Sequence, residues 1–592
     1  MTSNQSAAEI ELDGLTDFLA TEGHTLVLGG PGSGKTTGAL IKANREILQG
    51  GWNSSQQVLF LSFARSTVAR VAEAAAEIIE KKARSRIELT TYHSFAWRLI
   101  RSHGYLLQSE PAIRLFPPHD AAAHLAEATR DMSGDEAMQE KENESQRLLV
   151  EEGLLIFDYF AELAAELLEK SNRIRRIVSR RFPLIFLDEF QDTNKDEYRL
   201  IRCLARDSTM IALADPEQRI YEFRGADPKR IGEFIKEFNP KSFDFAERNH
   251  RSGGTDILKF ANDLLTGANT DNNYKDVQVV YYPTRRAEEQ HLRMKAAVIK
   301  AKNRAKKNNE NWSVGVLVPT KKMMLAVSDI LLAEQRYDSR RFYSINHEVG
   351  VDAEGPALAG VAIGRLMECN EETFEQATRI LLKDLCGHIV GRKGGRPASQ
   401  AESKLIDGLQ SFLEEGRVRG AKRQRIVNDC SRIAKQVAKT EFKGDPYADW
   451  IRVRDIIEEA ESDEVQSIAR DAKYLKFLRK GAQLRLRLAG LWKANGSYQG
   501  ATEAIQNAFV QEHFVSKSQE PRGVNVMTIH KSKGKEFDEV VIYEGLYSDR
   551  IVRQSDDENV IAQARLSLRV AVSRARQKVT ILTSQQNSCD LL

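Results

Sequence analysis

Two short stretches carry residue types and spacings suited to phosphate chemistry. The first, HTLVLGGPGSGKTT from His24 to Thr37, fits the pattern G-x-x-x-x-G-K-[ST]. In the run Gly29-Gly30-Pro31-Gly32-Ser33-Gly34 the glycines let backbone N–H groups converge on an anion with no Cβ in the way. Lys35 supplies a point charge for β- and γ-phosphates, the Thr36 hydroxyl suits Mg²⁺, and Thr37 continues the same turn. The second stretch is Asp188-Glu189-Phe190-Gln191-Asp192-Thr193. Here Asp188 is placed to hold the water shell of Mg²⁺, and Glu189 to align and polarise an attacking water. Together they predict hydrolysis of a nucleoside triphosphate.

Both stretches need strands to present them. The apolar run Thr25–Leu28 predicts a buried strand before the glycines, and Lys35-Thr36 opens a helix whose N-terminus adds its positive dipole end. Further strands are predicted at Val58–Leu61, Ile87–Thr91, Leu184–Leu187 and Met210–Ala214, with a helix over Ser66–Lys81. Alternation of strand and helix is the signature of a parallel α/β sheet, whose ligands bind at the strand ends. From about Arg98 to Arg181 helical periods take over, for example Asp120–Arg130 and Gln146–Lys170, ending in a basic run from Arg173 to Arg181. A second set of strands is predicted at Val277–Tyr282, Val314–Val318, Val540–Tyr543 and Val579–Leu582.

Composition sets the outer bounds. The 592 residues allow about four domain-sized units. At 41% hydrophobic and a net charge of +3, the chain has material for large cores and is no polycation. Its five cysteines are scattered without C-x-x-C spacing, which predicts reduced thiols and a cytoplasmic protein rather than a zinc site or disulfide frame. The sequence contains neither a signal-peptide pattern nor an apolar run of membrane-spanning length.

Taken in order, GGPGSGKTT, LSFAR, TTYHSF, LDEFQDT, ADPEQRIYEFRGA, RNHRS, MTIHKSKGKEF and AVSRAR span residues 29 to 576. In this order and spacing the chain resembles the superfamily 1 helicases of the UvrD/Rep/PcrA type. The resemblance implies an α/β fold of two RecA-like motor domains, each with a mainly helical insertion. The first would occupy residues 1–97 and 182–240 around an insertion at 98–181, and the second 241–349 and 517–592 around an insertion at 350–516. It implies ATP and Mg²⁺ as ligands, and single-stranded or duplex DNA as partner. By similarity Gln218 senses the γ-phosphate, Arg251 and Arg574 reach it from the second domain, and Glu536 accepts a hydrogen bond from the ribose. Phe63, Tyr221 and Phe223 match the family's base-stacking aromatics, and His93, Thr528 and His530 lie in motifs that track the strand backbone.

The activity implied is an ATP-driven 3′→5′ motor on single-stranded DNA that separates duplex strands. A rival is a DNA-stimulated ATPase sensor that signals to a separate nuclease, as in Gabija-like anti-phage systems. The second insertion carries basic clusters, such as Arg417 to Arg425, read as a solvated surface or as a duplex contact. The segment after AVSRAR is too short for a nuclease or partner-binding module. Three positions depart from the family: Leu12-Asp13-Gly14-Leu15 stands where a Gln usually reads adenine, His250 replaces the aromatic of NYRS, and Arg569 replaces a Tyr. Weakened reading of adenine predicts that GTP is turned over with kcat/KM within about tenfold of ATP. Steady-state hydrolysis of both nucleotides checks this, and a strict ATP preference would refute it.

Overall fold

The computed structural model describes residues 15–49, 51–63, 65–129, 132, 134–218, 227, 229–245, 254–271, 273–283, 287–337, 340–350, 354–370, 372–391, 399–473, 483–515, 521–552 and 557–592. In chain order its strands begin with β1 (Thr25–Leu28), β2 (Val58–Ser62), β3 (Ile87–Thr91), β4 (Arg114–Leu115), β5 (Leu154–Leu155), β6 (Leu184–Leu187), β7 (Thr209–Ala214) and β8 (Lys241–Asp244). There follow β9 (Val277–Tyr282), β10 (Ser313–Val318), β11 (Gln335–Tyr337), β12 (Arg340–Phe342), β13 (His347–Val349), β14 (Gly523–Thr528), β15 (Phe537–Tyr543) and β16 (Ala575–Ser584).

Contacts divide the chain into two compact units. One holds Met1–Leu99, Ala161–Gly350 and Lys517–Leu592, and the other holds Ile100–Phe160 and Val351–Ser516. The first unit contains two all-parallel sheets, ordered β3-β2-β6-β7-β1-β8 and β13-β14-β10-β15-β16-β9. We call the regions around them the first and second lobes. Their central strands are largely apolar because helices cover both faces: β2, β6, β10 and β15 are buried at every position, with Asp538 and Glu539 the charged exceptions in β15. Burial of each large aliphatic side chain contributes roughly 1.5–3 kcal/mol. Phe60 and Phe186 stack across β2 and β6 with centroids 4.4 Å apart, locking the pair that delivers the acidic stretch.

Several boundaries differ from the sequence reading. The helices Phe160–Lys170 and Asn172–Arg181 pack with the first lobe, so the insertion grouped with the other unit ends at 160 rather than 181. Their apolar faces explain this: Leu167, Leu168, Ile174 and Val178 are buried. Arg175 of the basic run pairs with Asp207 at 2.8 Å, a contact within the lobe. The helical stretch expected from Gln146 to Lys170 is broken after Glu152, where Gly153 takes φ +68° and β5 pairs with β4. A Cβ at Gly153 would come within 2.4 Å of the Ala112 carbonyl, so the turn requires glycine. Residues 241–244, expected to start the second motor domain, instead form β8 and complete the first sheet against β1. The Phe245 amide extends that pairing to the Leu28 carbonyl at 2.9 Å.

The other unit is helical. Leu382, Ile406, Ile433, Val453, Ile468 and Leu488 share one core. Buried carboxylates cap its turns: Asp449 accepts from the Lys443 and Gly444 amides and from the Tyr498 hydroxyl at 2.6–3.1 Å. Of its expected basic surface, Lys422 pairs with Glu464 at 2.5 Å and Arg423 donates to the Lys404 carbonyl. Among the described residues no helix is long and apolar enough to cross a membrane.

Gly315 lies in β10 with the Phe537 ring packed over it, and a Cβ there would sit 2.7 Å from that ring. Overpacking of this kind costs about 1–3 kcal/mol. Gly315→Ala therefore lowers the urea midpoint accordingly, and it displaces the strand start that holds Glu536. An unchanged midpoint would show that Phe537 is not clamped.

Candidate functional site

The phosphate loop is built as its residues require. The Gly29 amide donates to the Ala214 carbonyl at 3.2 Å, which ties the end of β1 to the end of β7. Gly32 and Gly34 take φ of +76° and +85°, open to glycine at no steric cost. A Cβ on Gly29 would lie 2.6 Å from Ser33 Oγ, so the loop closes tightly only because that atom is missing. Lys35 Nζ turns back onto the Gly29 and Gly30 carbonyls at 2.5 and 3.0 Å. Ser33 Oγ is buried with no hydrogen-bond partner.

At the end of β6 the Asp188 amide continues the sheet by donating to the Leu61 carbonyl at 2.8 Å, and Ser62 Oγ donates to Asp188 Oδ2 at 3.3 Å. Glu189 then adopts φ +54°, ψ +38°, a left-handed conformation that costs a non-glycine residue roughly 1–2 kcal/mol. Such outliers gather where a side chain must be aimed. Gln191 Nε2 donates to Glu189 Oε2 at 2.7 Å, while Gln191 Oε1 accepts from the Asp215 amide at 3.0 Å. Burial, and then the charge of Glu189, push Asp188 above the usual carboxylate range. Burial also opposes ionisation of Glu189, but Lys533, Lys35, Arg70 and Arg574 outweigh it and hold that group low.

Two of those cations come from the second lobe. Lys533, nearly fully buried, pairs with Asp192 and lies 3.7 Å from Glu189 Oε2. Arg574 is 2% exposed, with Nε donating to the Val570 carbonyl at 3.0 Å and Nη2 to Ser573 Oγ at 2.9 Å. Glu536 is held between Arg70 of the first lobe at 3.0 Å and Arg576 at 3.3 Å. The Phe537 amide donates to the Arg574 carbonyl at 2.9 Å, so Glu536 and Arg574 leave neighbouring strand starts. A cavity of about 340 Å³ is lined by residues 30–37, Arg70, Asp188, Glu189, Glu536 and Arg574. Lys35, Arg70 and Arg574, the paired carboxylates Asp188 and Glu189, and the orphaned buried hydroxyl of Ser33 suit a magnesium-bound polyphosphate, with Thr36 and Asp188 as the metal-side groups.

The expected residues thus divide by place. Gly30, Pro31, Gly32, Ser33, Gly34, Lys35, Thr36, Thr37, Asp188, Glu189, Glu536 and Arg574 line one cavity, while Gly29 sits behind it and holds Lys35. Both Glu536 oxygens engage arginines, so a ribose hydroxyl must share or displace one of them. Gln218 closes a 3₁₀ turn after β7. Tyr221, Phe223, His250 and Arg251 lie outside the described residues, as do residues 12–14 of the expected adenine-reading segment. Phe63 and His93 leave the ends of β2 and β3, paired at Ser62 and Thr91, on the same sheet edge as the acidic stretch. Thr528 ends β14, and His530 opens the turn after it. Sequence reasoning missed Arg70, Lys533 and Asp192 as site residues. Arg70 and Ala74, a helical turn apart on Arg65–Ile78, both line the cavity, so a charge on that helix's small-residue face was the available signal.

The UvrD/REP helicase N-terminal domain family matches residues 15–146 and 131–239, and the UvrD-like helicase C-terminal domain family matches residues 424–586. The chain is 29% identical to DNA helicase II of Haemophilus influenzae over 314 residues, covering 45% of this chain and 42% of that protein. It is 26% identical to the ATP-dependent DNA helicase PcrA of Staphylococcus aureus over 281 residues, 41% of this chain and 38% of the relative. The ATP-dependent DNA helicase UvrD1 of Mycobacterium bovis is 26% identical over 314 residues, 44% and 40% of the two chains. The matched stretches therefore span about two fifths of these relatives' length.

Behind the site, Glu197 is fully buried in a capping box: its Oε2 accepts from the Asn194 amide at 3.0 Å, and Asn194 Oδ1 accepts from the Glu197 amide at 2.8 Å. Glu197 Oε1 makes no hydrogen bond and lies 3.8 Å from His93 Nδ1. Burial pushes its carboxyl up to about 7. Its unfolded value is about 4.3, so between these limits the folded state binds more protons and stability falls as pH rises. Glu197→Gln keeps the cap acceptor and removes the charge. The variant gains up to about 3 kcal/mol over the parent at pH 8, and that gain shrinks toward pH 5. Urea denaturation at both pH values measures it; a pH-independent difference would refute the assignment.

Proposed function

Because the chain belongs to the UvrD/Rep-like superfamily 1 helicase family, we propose that it is an ATP-dependent DNA helicase that moves 3′→5′ along single-stranded DNA. The observation that carries this reading is the convergence of groups from two parallel sheets on one cavity. Lys35, Asp188 and Glu189 come from the first lobe, and Glu536 and Arg574 from the second. A site divided in this way makes hydrolysis depend on how the lobes meet, which is what a motor requires.

Each residue's task follows from its surroundings. Lys35, resting on its own loop carbonyls, exchanges those neutral acceptors for phosphate oxygens. Glu189, held ionised by surrounding cations, offers an acceptor that orients the attacking water, while Gln191 fixes its other side. Arg574 and, by family position, Gln218 and Arg251 stabilise charge that develops on the γ-phosphoryl oxygens. A well-placed arginine is worth about 10³–10⁵ in rate. Mg²⁺, when bound, neutralises β- and γ-oxygen charge, with Thr36 and Asp188 to hold it. Phe63, Tyr221 and Phe223 are the proposed stacking platforms, each base contributing about 1–3 kcal/mol without regard to sequence. His93, Thr528 and His530 are the proposed backbone contacts.

Purified protein on 3′-tailed and 5′-tailed duplexes tests the proposal. ATP hydrolysis stimulated by single-stranded DNA, with unwinding of the 3′-tailed duplex alone, is the expected result. Lys35→Ala reduces turnover by about 10³-fold or more, and Glu189→Gln keeps nucleotide binding while stopping turnover to a similar extent. Normal turnover in either variant would overturn the site. Stimulated hydrolysis without strand separation would favour the sensor reading, in which a separate nuclease acts on the signal.

A further inference from the structure

Arg569 lies on the helix Glu558–Val572, whose end leads into Arg574, and it is 1% exposed. A buried guanidinium must find acceptors for rigidly forked donors. It finds them mainly across the lobes. Nη2 donates to the Glu217 carboxylate at 2.6 Å and Nη1 to the Glu217 carbonyl at 3.2 Å, with Asp215 3.9 Å away. In its own lobe, Asn262 Oδ1 accepts from Nη2 at 3.2 Å. Nε stays buried without an acceptor. The side chain is thus oriented toward Glu217 at the expense of satisfying its own inner donor.

This contact lies beside the phosphate loop. A Cβ built on Gly30 would be 4.0 Å from Nη2 of Arg569. The Gly30 carbonyl also receives Lys35, the residue that addresses β- and γ-phosphates in such loops. Glu217 immediately precedes Gln218 in the turn after β7, and Arg569 rides the helix that delivers Arg574. We propose that Arg569 and Glu217 form a clasp that sets Gln218 and Arg574 at a fixed separation around one γ-phosphate. The inference rests on the ATPase reading above. Arg569 is in this sense a positioning residue, and the clasp acts on turnover more than on nucleotide binding. Were Arg569 mere core packing, the charge on Glu217 would not matter. The Glu217 side chain is 55% exposed, so altering it spares the fold.

The test is a double-mutant cycle on the full chain, with steady-state ATP hydrolysis at saturating oligo-dT and titration with fluorescent ADP. Glu217→Ala and Arg569→Ala each lower kcat by about 10–100-fold, and the double variant is no worse than the poorer single variant. KM for ATP and Kd for fluorescent ADP, which lacks the γ-phosphate, stay within about threefold. Glu217→Gln and Arg569→Lys recover part of kcat. Wild-type kcat in Glu217→Ala, or losses that multiply in the double variant, would overturn the clasp. Should Arg569→Ala fail to fold, Glu217→Ala and Arg569→Lys decide the matter by the same criteria. A wild-type protein with no DNA-stimulated turnover would instead bring down the ATPase reading itself.

Discussion

Two adjacent carboxylates buried at the end of one strand form the constraint on which the rest of the α/β unit depends. Asp188 and Glu189 repel each other, and burial penalises both charges. One lobe supplies Lys35 and Arg70, but the charge of Glu189 is also held by Lys533 and Arg574 from beyond the second sheet. Buried like charges therefore demand a second lobe, and the second lobe is where the arginine suited to γ-phosphate resides. On the ATPase reading proposed above, the side chains that hold these carboxylate charges are also those that would meet a γ-phosphate.

That coupling gives the cations a double life. Lys35 rests on loop carbonyls, Arg70 and Arg576 rest on Glu536, and Lys533 rests on Asp192. Each arrangement satisfies a positive group with local acceptors, and a polyphosphate bearing several negative charges is a stronger acceptor than a carbonyl. On the proposed reading, nucleotide binding would be an exchange of partners in a pre-formed pocket rather than the creation of charge contacts from solvent. Such an exchange would redistribute cations between lobes and so couple the lobe contacts to what occupies the pocket.

Much of this was legible in the sequence, and the reasons are physical. The strands at 25–28 and 184–187 were readable because buried parallel strands must be apolar runs, and the chemistry sits where each of these runs stops. The half-buried edge strands at 87–91 and 277–282 were readable instead from their β-branched and aromatic residues. Edge strand β8, with sequence KSFD and mostly exposed side chains, carries no such signal and was assigned to the wrong lobe. The helices at 160–181 have apolar faces that announce burial but not the partner, which is why the insertion boundary was set at 181 instead of 160. Gly153 was passed over because a single glycine inside a helical period is weak evidence until the nearby Ala112 carbonyl is seen. Arg70 looked like one more charge on an Ala-rich helix; only the fold reveals that it faces three carboxylates, Glu536, Asp188 and Glu189.

The departures from the family pattern are most informative when set against their surroundings. Arg569, in place of an aromatic residue, adds a buried charge to a cleft already crowded with cations, and that charge is tolerable because Asp215 and Glu217 answer it. Those two acids lie at the end of β7, next in the sheet to both β6 and β1. The substitution therefore places its counter-charges beside the strand ends that hold phosphate loop and acidic stretch alike. A neutral aromatic at 569 would leave Asp215 near the pocket without that arginine beside it. The polarity of this corner is consequently a property of the pair across the cleft, and neither lobe's sequence discloses it alone.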